Sequence, residues 1–215
     1  MENNREKIKK ALSIKDVMTK KYETIPFTGA WLDAFGEPER TGVWLIWGNS
    51  GNGKSTFALQ LCAELCKHGT VLYNSLEEGS SLTFRNRLAD LEEDINGKRF
   101  QIINEPVTDM SKRLMRRRSA DFVVIDSFQY SGLTYERYRG LKDMHRDKLL
   151  IFVSHAEGTR PSGRSAQSVL YDASQKVWVE GFRAISNGRS IGKNGGVYVI
   201  WEEGVVRVGK AKDND

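Results

Sequence analysis

Gly48-Asn49-Ser50-Gly51-Asn52-Gly53-Lys54-Ser55 is the stretch on which the reading of this chain turns. Its glycine, lysine and serine spacing matches in full the loop that wraps nucleotide phosphates. Glycines let the backbone curl so that its N–H groups face an anion, and the amino end of a following helix adds a favourable dipole. The flanks supply the required context. Gly42-Val43-Trp44-Leu45-Ile46-Trp47 is a short apolar run fit for a buried parallel strand, and Thr56 to Lys67 places Phe57, Leu61 and Leu65 at helical spacing. Asn49, Ser50, Gly51, Asn52, Gly53, Lys54, Ser55 and Thr56 therefore form the expected phosphate cradle. Lys54 reaches the β- and γ-phosphates and Ser55 offers its hydroxyl to Mg²⁺, while Thr56 is a helix-packing residue at the edge of the cradle.

Outward from the loop, two acids stand where such a site needs them. Thr70 to Ser75 reads as a second strand that runs into Leu76-Glu77-Glu78-Gly79, and Asp121 to Asp126 reads as a buried strand closed by an acid. In open parallel sheets the ligand sits at the carboxyl ends of the strands, so both acids can face the loop. Glu77 is the expected general base for the attacking water, and Asp126 the expected Mg²⁺ carboxylate. Glu78 suits a helix-capping role. Ser127 and Gln129 follow at the same edge. Leu149 to Val153 is a further strand with Ser154-His155 at its carboxyl end; His155 is either a phosphate-sensing group or a structural histidine.

The remaining segments set the frame. With 215 residues the chain is long enough for one domain with a substantial core. Cys62 and Cys66 lie four apart on the helix after the loop and match no zinc pattern, so they are expected as reduced core residues. No secretory leader or bilayer-spanning run is readable, which makes the cytoplasm the expected location. Net charge is +5, and the isoelectric point near 9.1 is compatible with a polyanionic partner. Residues 1–24 form a basic extension, with a thin amphipathic helix over 1–21 that frays in solvent, docks on a neighbouring subunit or, behind these, contacts nucleic acid. Pro26 to Arg40 is an irregular lead-in whose Trp31, Leu32 and Phe35 can cover the sheet.

Further helices are expected over 80–93, 109–119 and 140–147, with a strand at Phe100 to Ile103. Lys112, Arg113, Arg116, Arg117 and Arg118 make the densest basic cluster, a solvated face or a nucleic-acid contact. Glu157 to Ser165 is the most loop-like stretch; its Arg160 and Arg164 either wrap a nucleic-acid backbone or decorate a mobile connection. Lys176 to Val179, Phe182 to Ile185, Val197 to Trp201 and Val205 to Val208 suggest antiparallel strands, with an exposed hairpin tip over 188–196. Residues 25–209 thus form the core, and 210–215 a disordered tail.

Taken together, Gly48 to Ser55, Ser75-Leu76-Glu77-Glu78, Val123 to Ser127 and Ser154 to Gly158 resemble the RecA-like ATPase superfamily, nearest to its RadA branch and the DnaB-type replicative helicase motor. The resemblance covers roughly residues 25 to 208. It implies a three-layer α/β P-loop NTPase, its sheet mainly parallel with a C-terminal antiparallel extension. It also implies ATP and Mg²⁺, Glu77 as catalytic glutamate, Asp126 as metal carboxylate, His155 as polar coupling residue and Arg160 to Ser165 as part of a DNA-facing loop. Such proteins assemble as rings or filaments with a neighbour's basic finger completing the site; Arg189 matches that finger best and Lys193 second, although Ser186-Asn187-Gly188-Arg189 lacks the lysine that opens the RadA motif. The expected activity is Mg²⁺-dependent ATP hydrolysis on DNA, single-stranded above all, in recombination, repair or replication, with a replication or recombination protein as a further partner. The competing reading is a nucleotide-gated assembly or loader module with slow hydrolysis.

Overall fold

The computed structural model describes residues 11–91, 95, 97–188, 192 and 196–212. Its frame is set by alternation along the first strand, β1 (Gly42–Gly48). Trp44 and Ile46 enter one apolar cluster, while Val43, Leu45 and Trp47 enter the other. A strand that is apolar on both faces is stable only where helices cover both. The other strands are β2 (Val71–Ser75), β3 (Phe100–Ile103), β4 (Phe122–Asp126), β5 (Leu149–Glu157), β6 (Arg160–Pro161), β7 (Gln175–Glu180), β8 (Arg183–Ser186) and β9 (Val197–Val199). They form one sheet in the order β3-β2-β4-β5-β1-β7-β8-β9, with β6 paired to β5. All pairs from β3 to β7 are parallel, and β8 and β9 close the far edge antiparallel.

Helices α2 (Gly29–Phe35), α3 (Lys54–Cys66) and α4 (Leu82–Ala89) place Trp31, Phe57 and Phe84 in the first cluster. Helices α5 (Val107–Leu114), α6 (Tyr135–Met144) and α7 (Arg164–Asp172) place Met110, Tyr138 and Val169 in the second. This is the three-layer α/β arrangement with a mainly parallel sheet that the sequence implied. Cys62 and Cys66 are buried and free. Among the described residues no helix is long and apolar enough to cross a membrane.

Several expectations need correction. The segment read as an irregular lead-in contains α2, whose Trp31 stacks on Tyr198 with ring centroids 4.2 Å apart. Helix α6 starts at Tyr135, not 140, because the Thr134 hydroxyl accepts from the Arg137 N–H and caps it. Helix α5 ends at Leu114, so Arg116, Arg117 and Arg118 lie in the turn beyond it. Strand β7 is parallel to β1, so the antiparallel extension begins one strand later, at β8. Val205 to Val208 is not a strand: it belongs to α8 (Glu202–Lys212), with two acids in its first turn favouring the helix amino end. A short Val-Val-Arg-Val run fits either period; here the helix is formed, with the Val205 N–H bonded back to the Trp201 carbonyl at 3.1 Å and Gly204 close against Trp201 and Phe182. At the amino end, α1 (Ile14–Thr19) buries none of its residues; residues 1–10 of the expected longer helix lie outside the described residues.

Candidate nucleotide-binding site

Strand β1 ends at Gly48, where an added Cβ would collide with the carbonyl of Val179 on the β1 side of β7. The chain then turns through Gly51 (φ 76°) and Gly53 (φ 93°), left-handed conformations that favour glycine, and enters α3 at Lys54. Asn52 braces the loop: its side-chain oxygen accepts from the Gly181 N–H at 2.8 Å, and its amide donates to the Ser50 carbonyl at 3.2 Å. Asn49 accepts, through its backbone carbonyl, a 2.9 Å hydrogen bond from Lys54 Nζ. Thr56, the third residue of α3, lines the same space.

The parallel register brings the other strand ends to this loop. Gly48 is level with His155, and Ser75 is level with Asp126. A polar cavity of about 260 Å³ results, lined by Ser50, Gly51, Gly53, Lys54, Ser55 and Thr56 of the loop and by Glu77, Asp126 and His155 from the neighbouring strands. Glu77 and His155 are joined directly, Nε2 to Oε2, at 3.0 Å. Asp126 is buried and takes a 2.5 Å hydrogen bond from the Tyr73 hydroxyl. Burial raises the Asp126 carboxyl above the ordinary carboxylate range, against the lowering effect of the Tyr73 hydrogen bond; Glu77 and Glu78 add to the rise and Lys54 opposes it. Burial likewise lowers the Lys54 ammonium, with Asp126 and Glu77 pulling it back. A charged or polyvalent guest would relieve both.

The residues fit a Mg²⁺–triphosphate. Ser127, almost fully buried and on the cavity wall, has a side-chain hydroxyl with no partner, which is what a ligand oxygen would satisfy. Among the described residues no three His, Cys, Asp or Glu side chains are grouped to hold a metal. Mg²⁺ commonly needs just one or two protein ligands beside substrate phosphates and water, and Ser55 with Asp126 would be that pair.

Not every expected residue converges here. Gln129 does not line the cavity; it stands behind it, donating to Ser154 Oγ (2.9 Å) and to the Ser162 carbonyl (3.0 Å) and accepting from the His155 N–H (3.1 Å). Glu78 does not cap α4, whose cap is Ser81; it pairs with Arg87 at 2.7 Å. Arg160 and Arg164 are exposed, yet their segment is ordered: Glu157 pairs with Arg160 across a β5–β6 hairpin, and Arg164 opens α7. The Trp47 indole N–H donates to the Thr159 carbonyl at 3.1 Å, tying that hairpin to the strand that carries the phosphate loop. Arg189 and Lys193 lie outside the described residues.

Tyr73, Arg87 and Phe182 were not read from the sequence. Tyr73 and Phe182 belong to apolar patterns that read as core; sheet register puts the Tyr73 hydroxyl on Asp126 behind the cavity, and the β7–β8 turn puts Phe182 on the cavity wall. Arg87 could have been found as the basic residue nine positions beyond Glu78, one helix away.

Comparison with known proteins agrees with this geometry. A family model described as "AAA domain" matches residues 9–131, more than half of the chain. DNA repair protein RadA of Streptococcus pneumoniae is 37% identical over 87 residues, 40% of this chain and 20% of that protein, so the match spans about a fifth of its length. Flagellar accessory protein FlaH of Methanocaldococcus jannaschii superimposes with a TM-score of 0.60 at 16% identity, covering 83% of this chain and 95% of that one. A KaiC-like protein of Pyrococcus horikoshii OT3 gives 0.52 at 19% identity, over 77% and 91%. ATP synthase subunit NeqB of Nanoarcheaum equitans gives 0.56 at 11%, over 74% and 51%. At such identities these structures speak for the fold alone.

Proposed function

Because this chain belongs to the AAA-domain family, as a P-loop ATPase of RecA-like fold, we propose that it hydrolyses Mg²⁺-bound ATP and couples the reaction to DNA. The observation that carries the first half is the gathering of Lys54, Ser55, Glu77, Asp126 and His155 around one cavity at the carboxyl ends of the parallel strands. Lys54 exchanges the Asn49 carbonyl for β- and γ-phosphate oxygens, assisted by loop N–H groups and the amino end of α3. Ser55 and Asp126 hold the metal, which supplies positive charge against the phosphates. Glu77 accepts the proton of the attacking water, and His155 sets its orientation through their shared hydrogen bond. Ser127 donates its free hydroxyl to the bound nucleotide. Arg189, or else Lys193, acts from a neighbouring subunit of a homo-oligomer.

The DNA half rests on the partial likeness to a protein named for DNA repair, and on Arg160 and Arg164, exposed on the hairpin and helix that follow His155 along the chain. Recombination, repair or replication is the setting this supports. A second reading, a nucleotide-gated assembly or loader module, is favoured by one feature: Glu77 Oε2 is engaged by His155 Nε2 at 3.0 Å, which ties up one of the two oxygens a general base would offer.

An ATPase assay with and without single-stranded DNA, across protein concentrations, tests the proposal. Turnover is expected to rise with DNA, with a rise that weakens with salt and is lost in Arg160→Ala with Arg164→Ala. Unchanged DNA response in that double variant removes the loop assignment; no turnover under any condition favours the switch reading.

A further inference from the structure

A second, larger cavity lies away from the nucleotide site. It is a groove of about 920 Å³ between α5 and α6, on the sheet face opposite α3. Its apolar lining comes from Leu76, Leu133 and Leu141 together with Tyr130, Met115 and Met144. The last three are 60%, 69% and 58% exposed, which is far more than a side chain of that size shows when it merely seals a core. Methionine is adaptable and recurs on surfaces that receive apolar side chains of varied shape. Ser111, on the groove wall, has its Oγ 2.8 Å from Nε2 of His145, which links α5 to the C-terminal end of α6.

The rim of the groove is basic, and its positive charge is unevenly spent. The two acids of the α5 side, Glu105 and Asp109, are taken up by Arg113 and Lys112. Arg137, on the groove wall, and Arg116 and Arg117, directly after Met115, have no ion-pair partner among the described residues. An apolar floor between two helices, with Arg137 unpaired on its wall and Arg116 and Arg117 unpaired in the adjoining depression that shares Met115 and Met144, fits one kind of guest. We propose that this groove docks an amphipathic, acidic helix of a partner protein, its apolar stripe on Met115, Leu133 and Met144 and its carboxylates on Arg116, Arg117 and Arg137. Charge excludes the chain's own unpartnered helix α1 as guest, since residues 8–21 carry five lysines against one aspartate. Nucleic acid would match the arginines and leave the apolar floor uncovered. The location is consequential, because Leu76 on the groove wall directly precedes Glu77, and Tyr130 directly follows Gln129, which holds His155.

The proposal does not depend on hydrolysis, and its test is a binding selection. A phage-displayed library of randomised helical peptides of about 16 residues, long enough to hold a helix, is selected on the full chain and counter-selected on Met115→Glu with Met144→Glu. The expected winners carry apolar residues at i, i+3, i+4 and i+7 with acids between them. Once synthesised, they should bind the wild type in a salt-dependent way and lose about tenfold or more in affinity, some 1.4 kcal/mol, in the double variant. The double variant should keep wild-type nucleotide binding; if the charges unfold it, Met115→Ala with Met144→Ala serves in its place. Arg116→Glu with Arg137→Glu should weaken the same peptides. Failure to enrich against the counter-selection, winners that are basic, or displacement of the winners by the peptide 8–21 or by single-stranded DNA would overturn the assignment.

Discussion

Asp126 shows at the scale of one residue how the site is poised. Its carboxylate is buried, holds one hydrogen bond from Tyr73 and stands near two further acids, so its pKa is raised. A raised folded-state pKa means that the native chain binds a proton more readily than the unfolded chain does. The charged form therefore costs stability at neutral pH, and that cost fades as pH falls through the raised value. Asp126→Asn should raise the melting temperature of the nucleotide-free protein at pH 7, by about 2–4 °C for each kcal/mol recovered in a chain of this size. The gap between variant and wild type should narrow as pH is lowered, while Mg²⁺-dependent turnover is lost. Thermal melts across pH check the sign, and a gap that widens on acidification would be inconsistent with it. At this scale the placing of Lys54, Ser55 and Asp126 on one cavity was legible because its signals are local: a glycine loop, or an acid closing an apolar strand. Tyr73 was not, because a tyrosine inside a strand reads as core until the register places its hydroxyl on Asp126.

Elements were legible where period and length agreed, as in β1, α3 and β4, and illegible where a capping or tertiary contact decided. Helix α6 depends on the Thr134 cap, and α2 depends on packing that no local pattern announces. Its Trp31 stacks on Tyr198 of β9 and lies 5.9 Å from Phe57 of α3, centroid to centroid, so α2 joins the last strand of the sheet to the helix that follows the phosphate loop. Trp31→Ala should cost about 3–5 kcal/mol in urea unfolding, the range for removing a large buried aromatic. A loss below 1 kcal/mol would mean that α2 is an ornament on the sheet and not part of its core. The hairpin carrying Arg160 shows the opposite case: its glycines, serines and arginines read as a flexible loop, yet pairing with β5 and the Trp47 hydrogen bond order it.

The whole molecule is organised by strand order. With β1 between β5 and β7, and β4 between β5 and β2, four strand ends deliver the phosphate loop, His155, Asp126 and Glu77 to one rim. The fold class could be read from the sequence because continuous apolar strands alternate with helices; the order of the strands could not, since it is set by long-range pairing. Assembly belongs to this scale as well. If Arg189 or Lys193 acts in trans, specific turnover should rise with protein concentration and fall in Arg189→Ala, or else in Lys193→Ala, at every concentration, and constant specific activity on dilution would speak for a self-sufficient monomer. The convergence itself is tested most directly by nucleotide binding and single-turnover hydrolysis in Glu77→Gln. The account predicts ATP binding at wild-type affinity with hydrolysis slowed by about 10²–10⁴-fold, the usual weight of a general base; hydrolysis at the wild-type rate in that variant would contradict it.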